Sequence, residues 1–283
     1  MKRFLYGGLA LLLCAHGWAA DTEAVRKRVE SSMLLTGSIV ITPEGTVRSF
    51  QIDQADKVPA PVQELLQKNV PQWTFQLAPE QGEPVDTRAT INVRVVANEL
   101  ADGNYALSIR GVHFGDYAPG ENVSSKTREA PRYPMEAVSA RAPGTVYVLL
   151  EVGRQGQVEE AIAEQVNLEV VGSDQEMARL RKLLADASLR AARRWTFNPP
   201  TTGPLVQAEH WYVRVPVQFS LSGPRQRPQA GYGQWRTYVP GPRQTAPWGQ
   251  NSKLADSSAD ALPDGGIASA QSSLHLLTPL AAS

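Results

Sequence analysis

Apolar residues at Met177, Leu180, Leu184, Ala187, Ala191 and Trp195 recur at spacings of three and four, one stripe that predicts an amphipathic helix. Ser173 and Glu176 have capping-box spacing at its start, and Asn198-Pro199-Pro200 stops it. A shorter stripe of Val62, Leu65 and Leu66 follows Pro61, which suits an opening turn, and Pro71 interrupts it just before Trp73. Each helical stretch is preceded by a strand-like run and a glycine turn. The first is Gly37 to Ile41 with Gly45; the second is Gly144 to Val152 with Gly153 and Gly156. Val25, Val29 and Met33 suggest a further short helix, and Asp102-Gly103 between Ile91–Leu100 and Asn104–Phe114 is a hairpin signal.

These patterns form a repeat. Gln72-Trp73-Thr74-Phe75 returns as Arg194-Trp195-Thr196-Phe197, and the strands beginning at Ile91 and Val213 follow the two tryptophans at equal spacing. Between them each copy has a Gly and Pro turn, Gly82-Glu83-Pro84-Val85 and Gly203-Pro204-Leu205-Val206. The expected architecture is α+β: two modules, each a small antiparallel sheet of about three strands packed on one amphipathic helix. The two Trp residues end apolar stripes and are expected to be core anchors. The first module spans 20–115 and carries the extra hairpin strand; a polar linker spans 116–130; the second module spans 131–222. Residues 223–283 are rich in Pro, Gln, Ser, Gly and Ala without periodicity, a composition expected to stay disordered, although Tyr232, Trp235, Tyr238 and Trp248 offer docking groups there.

The N-terminal 1–19 reads as a secretory signal: Lys2 and Arg3, an apolar run from Phe4 to Ala15, then Gly17-Trp18-Ala19. The run is about a dozen residues, short of the roughly 20 a membrane-spanning helix needs, so a periplasmic mature chain is expected. Left uncleaved, the same segment would anchor the chain in the inner membrane. The only cysteine, Cys14, lies inside it, so the mature chain is expected to rely on hydrophobic cores rather than disulfides. The formal net charge is zero, which gives no electrostatic case for nucleic acid. His113, His210 and His275 are scattered and lack metal-ligand spacing. Ser124-Ser125-Lys126 lies in the linker with no adjacent base. No catalytic set, metal site or cofactor motif is therefore assigned, and the chain is not expected to be an enzyme.

Four blocks of the second copy occur in order: Pro131-Arg132-Tyr133-Pro134 leading to Ala137; Gly144-Thr145-Val146 running to Gly156-Gln157-Val158; Ala191 to Pro199; and Val213 to Phe219. Over about Pro131 to Ser222 this succession resembles the TonB C-terminal domain family, and the first copy is similar to a diverged relative. The resemblance implies a three-stranded antiparallel sheet on one helix. It also implies protein partners in the cell envelope, among them TonB-dependent outer-membrane transporters, bound by strand addition at a sheet edge. Carried over by position, Val213, Val215, Val217 and Phe219 form the pairing edge, and Arg132, Tyr133 and Pro134 lie beside the incoming segment. Pro216 suits an edge strand because it cannot donate into a central ladder. The chain departs from the transducer plan in two ways: its N-terminus reads as cleavable, and its Pro-rich stretch follows the domain instead of preceding it. The alternative is a non-transducing envelope assembly factor whose modules pair with each other or form a homodimer.

Overall fold

The computed structural model describes residues 22–77, 85–100, 103–116, 120–221, 231–249, 258–270 and 274–280. The expected signal segment lies outside the described residues. In the first module, β1 (Glu30–Ile41) and β2 (Val47–Ile52) form a hairpin; α1 (Ala60–Asn69) and β3 (Phe75–Leu77) follow; β4 (Thr87–Glu99) and β5 (Tyr105–Asp116) form the second hairpin. β1 lies antiparallel to β4 from Ser31–Ala97 to Ile41–Thr87, and β4 lies antiparallel to β5 from Ala89 to Glu99. Met33, Leu35, Ile39, Ile91, Val93 and Val95 meet Val62 and Leu66 of α1 in one buried core. The Asp102-Gly103 signal therefore marks a real hairpin: Gly103 has φ 79°, and the Leu100 N–H donates to the Asn104 carbonyl at 2.7 Å. Met33 is not helical; the helix covers 22–26, and Met33 lies within β1.

The second module comprises β6 (Ser124–Thr127), α2 (Met135–Ser139), β7 (Gly144–Gly153), β8 (Val158–Leu168), α3 (Asp174–Ala192), β9 (Thr196–Asn198) and β10 (His210–Phe219). The α3 stripe is buried as its spacing predicts, and the Ser173 Oγ accepts from the Glu176 N–H at 3.2 Å, capping the helix. β7 is the central strand, buried on both faces. Its Val146, Val148, Leu150 and Val152 join Met177, Leu184, Trp195 and Phe197 in the second core. Burying each large apolar side chain of this set contributes about 2 kcal/mol. Val25 and Val29, assigned by sequence to the first module, pack on this second core. Arg28 pairs with Asp174 at the start of α3.

The two modules share one local device at the repeated tripeptide. The Phe75 N–H donates to the Gly45 carbonyl, and the Phe197 N–H to the Gly156 carbonyl, both at 2.7 Å. Gly45 and Gly156 have φ 81° and 80°. A Cβ on either would lie 2.2 or 1.9 Å from the carbonyl oxygen of Phe75 or Phe197. Glycine is needed twice over, for the left-handed turn and for the close approach. Trp73 and Trp195 are core residues, and the Trp195 Nε1–H donates to the Glu129 carbonyl at 2.8 Å.

Two expectations are corrected. The expected linker carries a strand at Ser124–Thr127: β6 pairs with β9, Ser124 opposite Asn198 and Thr127 opposite Thr196. Alternating hydrophobicity gave no sign of this, because all four β6 residues are exposed. The tail is not disordered over its described residues. It forms β11 (Arg236–Tyr238) on β1, β12 (Ala268–Ser269) on β10 and β13 (Leu274–Leu276) on β3. The physical reason is docking onto edges and buried partners supplied by the two modules, which a composition-based reading of the tail alone does not contain.

The tail is fixed chiefly by polar anchors. Arg94 of β4 is buried, donates to the Asp260 carbonyl from Nε at 3.0 Å and to the Ser32 Oγ at 3.1 Å. The Asp260 carboxylate accepts from the Tyr238 hydroxyl at 3.0 Å and from the Ser258 Oγ at 2.6 Å. Arg236 bridges Glu169 at 2.7 Å and Asp264 at 2.5 Å.

Candidate partner-binding edge

β10 owes its place to its alternation. Val213, Val215, Val217 and Phe219 turn into the second core, while Arg214 and Pro216 are buried on the opposite face. One side of the strand is paired with β7 along its whole length, from His210–Gly153 to Phe219–Gly144. The other side faces away from β7, toward β12, the outermost strand of the sheet order β12-β10-β7-β8. There β12 pairs at two positions, Val213 with Ser269 and Arg214 with Ala268, and the Ala270 N–H donates to the Tyr212 carbonyl at 2.8 Å. In an antiparallel ladder the N–H and C=O of one residue face the same side, and the side alternates along the strand. The Tyr212 bond to the tail therefore sets Tyr212, Arg214, Pro216 and Gln218 with their backbone groups outward. Pro216, which has no N–H, occupies an outward position, so its missing donor costs nothing in the β7 ladder.

The residues named from sequence thus divide. Val213, Val215, Val217 and Phe219 lie on the expected strand, but their side chains are core and their backbone groups face β7. The outward backbone belongs to the even-numbered neighbours, which the sequence reading passed over. Period-2 alternation around Pro216 is the signal that could have found them: the proline sits where an N–H is dispensable. Tyr133 is brought to the end of β10, its ring edge-on to Phe219 at 5.1 Å and 63°. Its hydroxyl donates to the Ala142 carbonyl at 2.9 Å, and burial, with a smaller push from Glu169, raises its pKa to about 12. Pro134 is the N-cap of α2 and Arg132 is exposed beside it. Arg132, Tyr133 and Pro134 therefore flank the Phe219 end of the strand.

Beneath the edge lies a buried charge cluster. Arg214 Nε and Nη2 donate to Glu164 at 2.6 and 3.0 Å, with the two side chains 1% and 3% exposed. Arg243 of the tail adds contacts to the same Oε1 at 2.7 and 3.0 Å. Two forked guanidiniums on one carboxylate satisfy its lone pairs, the condition under which a buried ion pair is tolerated. Tyr212 stacks on Trp248 with centroids 5.5 Å apart and planes at 10°. The tail also follows the far edge of the sheet, where the Val239 N–H donates to the Leu168 carbonyl at 2.7 Å and the Gln244 N–H to the Glu164 carbonyl at 2.7 Å.

A cavity of about 170 Å³ lies between the first module's sheet and residues 262–269, lined in part by Thr90, Asn92 and His113. Burial first, and the Arg214 charge second, pushes the His113 pKa down to about 4, so the ring is neutral near pH 7. Among the described residues no cluster of His, Cys, Asp and Glu could hold a metal ion, and no helix is long and apolar enough to cross a membrane.

Residues 129–221 match the family of the Gram-negative bacterial TonB protein C-terminal. Two curated relatives, each named Protein TonB, come from two strains of Xanthomonas campestris pv. campestris. Each is 31% identical over 107 residues, covering 38% of this chain and 42% of the relative. The chain thus spans less than half the length of the curated relatives it matches. No solved structure matches it.

Proposed function

We propose, from the match of residues 129–221 to the TonB C-terminal family, that the chain is a periplasmic protein-interaction protein that pairs an extended segment of an envelope partner along the outer side of β10. The observation that carries this reading is the inequality of the strand's two sides. β7 pairs with β10 from end to end, whereas among the described residues β12 pairs at Val213 and Arg214, with one further bond from Ala270 to Tyr212. A strand that displaced β12 would take up main-chain hydrogen bonds on this side, with Tyr133 and Phe219 marking one end of the track. Outer-membrane transporters are the partner class, on the strength of the family, and coupling to inner-membrane energy is part of the same proposal. The first module, in this reading, is a diverged copy that supports the second.

The test is crosslinking in living cells from a photoreactive residue at Gln218, with Arg179 on the exposed face of α3 as the control. Adducts to an outer-membrane transporter, identified by mass spectrometry and confined to position 218, are expected. Self-adducts alone, or the same pattern from both positions, would remove the reading.

A further inference from the structure

In the first module the strand corresponding to β10 is β4, which follows Trp73 as β10 follows Trp195. One side of β4 pairs with β1; the other pairs with β5 from Ala89 to Glu99. The place a guest strand would take is therefore filled by a hairpin partner of matching length. In the second module the same place holds β12, paired at two positions.

We propose that the chain fills both guest positions itself: fixedly in the first module with β5, and displaceably in the second with a strap, residues 263–270, which the first module holds in place and which a guest must displace. This rests on reading β10 as the guest edge.

The strap is built for release. It reads Pro263-Asp264-Gly265-Gly266-Ile267-Ala268-Ser269-Ala270, small residues with little apolar surface to bury. Ala270 is its one fully buried apolar side chain, and Ile267 is partly buried. Pro263, Gly266, Ile267, Ala268 and Ser269 line the cavity of about 170 Å³, so part of the strap borders open space. Few apolar contacts and a short ladder place a segment at the low end of local stability.

Its ends are held far better than its middle. On one side stand the Arg94, Tyr238 and Ser258 bonds to Asp260, the Arg236–Asp264 ion pair, and Arg128, which donates to the Gly265 and Gly266 carbonyls at 2.6 and 3.1 Å. On the other side β13 pairs with β3, and the Leu277 N–H donates to the Thr74 carbonyl at 2.8 Å. A segment tethered at both ends competes at a high effective concentration. A guest then binds with its intrinsic affinity reduced by the fraction of molecules whose strap is open. The first module is accordingly a holder for the gate and offers no second guest edge at β4.

Native-state amide exchange on the full chain tests this, in the wild type and in two variants. Ala270→Pro removes the donor to Tyr212; Arg128→Ala removes the two bonds to the strap carbonyls. In the wild type the outward Arg214 amide is expected to exchange at least tenfold faster than the inward Val215 amide, in step with Ala268 to Ala270. Each variant is expected to speed Arg214 a further tenfold while Val215 is unchanged. Should Ala270→Pro fail to fold, Arg128→Ala decides, since its side chain lies outside both cores. Arg214 exchanging as slowly as Val215 in the wild type, or unmoved in the folded variants, would overturn the proposal and show the strap to be a fixed strand. None of these readouts involves a partner. Exchange as expected, together with no transporter adduct from Gln218, would leave the strap standing and remove the guest reading.

Discussion

The backbone N–H of Ala270 donates to the carbonyl of Tyr212 at 2.8 Å, on the side of β10 that faces away from β7. This single bond fixes which residues of β10 turn their main-chain groups outward. It puts the tail, remote in sequence, on the edge proposed to take a guest strand.

The turn glycines should not tolerate a side chain. Gly156→Ala places a Cβ against the Phe197 carbonyl in a left-handed turn, whereas Gly103→Ala, at φ 79°, meets nothing within 4 Å. The second change should cost about 1 kcal/mol for the backbone alone. Gly156→Ala should cost clearly more, as should Gly45→Ala. Urea denaturation of the three variants measures the difference.

Trp195→Ala should destabilise by about 3–5 kcal/mol, the usual range for emptying a large aromatic site. It also leaves the Glu129 carbonyl without its indole donor. Thermal melts should show a large fall in midpoint, and Trp73→Ala should behave alike, since its ring is buried edge-on to Phe114 at 6.2 Å.

Glu164→Ala should cost about 3–5 kcal/mol, because Arg214 stays buried without its carboxylate. Arg243→Ala should cost far less, since that side chain is 42% exposed and Arg214 still occupies the carboxylate. Chemical denaturation of the two variants checks the order; equal losses would contradict it.

Acid should destabilise the fold through His113. Its pKa falls from 6.5 to about 4 on folding, so between those values the unfolded chain takes up a proton that the folded chain refuses. Stability from this group is complete above pH 6.5 and is lost as pH falls to about 4, by an amount on the order of 3 kcal/mol. His113→Gln should flatten the stability profile in that window, measured by denaturant titration at half-unit steps.

Much of the fold was legible because it is written in local periodicity. The α3 stripe with its Ser173 cap, the Asp102-Gly103 hairpin and the paired Trp-Thr-Phe segments all depend on neighbours within a few residues. Pro216 marks a side of β10 that needs no donor toward β7. What escaped notice depends on partners far apart in sequence. Nothing in the tail announces that Asp260 meets Arg94, or that Arg243 meets Glu164, across 166 and 79 positions. The aromatic residues were the one clue, and Tyr238 and Trp248 do dock, on Asp260 and Tyr212. Carried over by position, Val213, Val215, Val217 and Phe219 mark the pairing strand but not which of its residues turn inward. The same alternation that makes them a strand makes them core once α3 covers that face.

The most direct test of the account is amide exchange along β10 with a partner segment bound, using a peptide that spans the crosslinked stretch of the protein captured from Gln218. Strand addition at the outer edge predicts added protection at Tyr212, Arg214 and Gln218, none at Val213, Val215 and Val217, and loss of protection at Ala268 to Ala270. Protection gained on α3 or along β8, with the β10 amides and the strap unchanged, would contradict it.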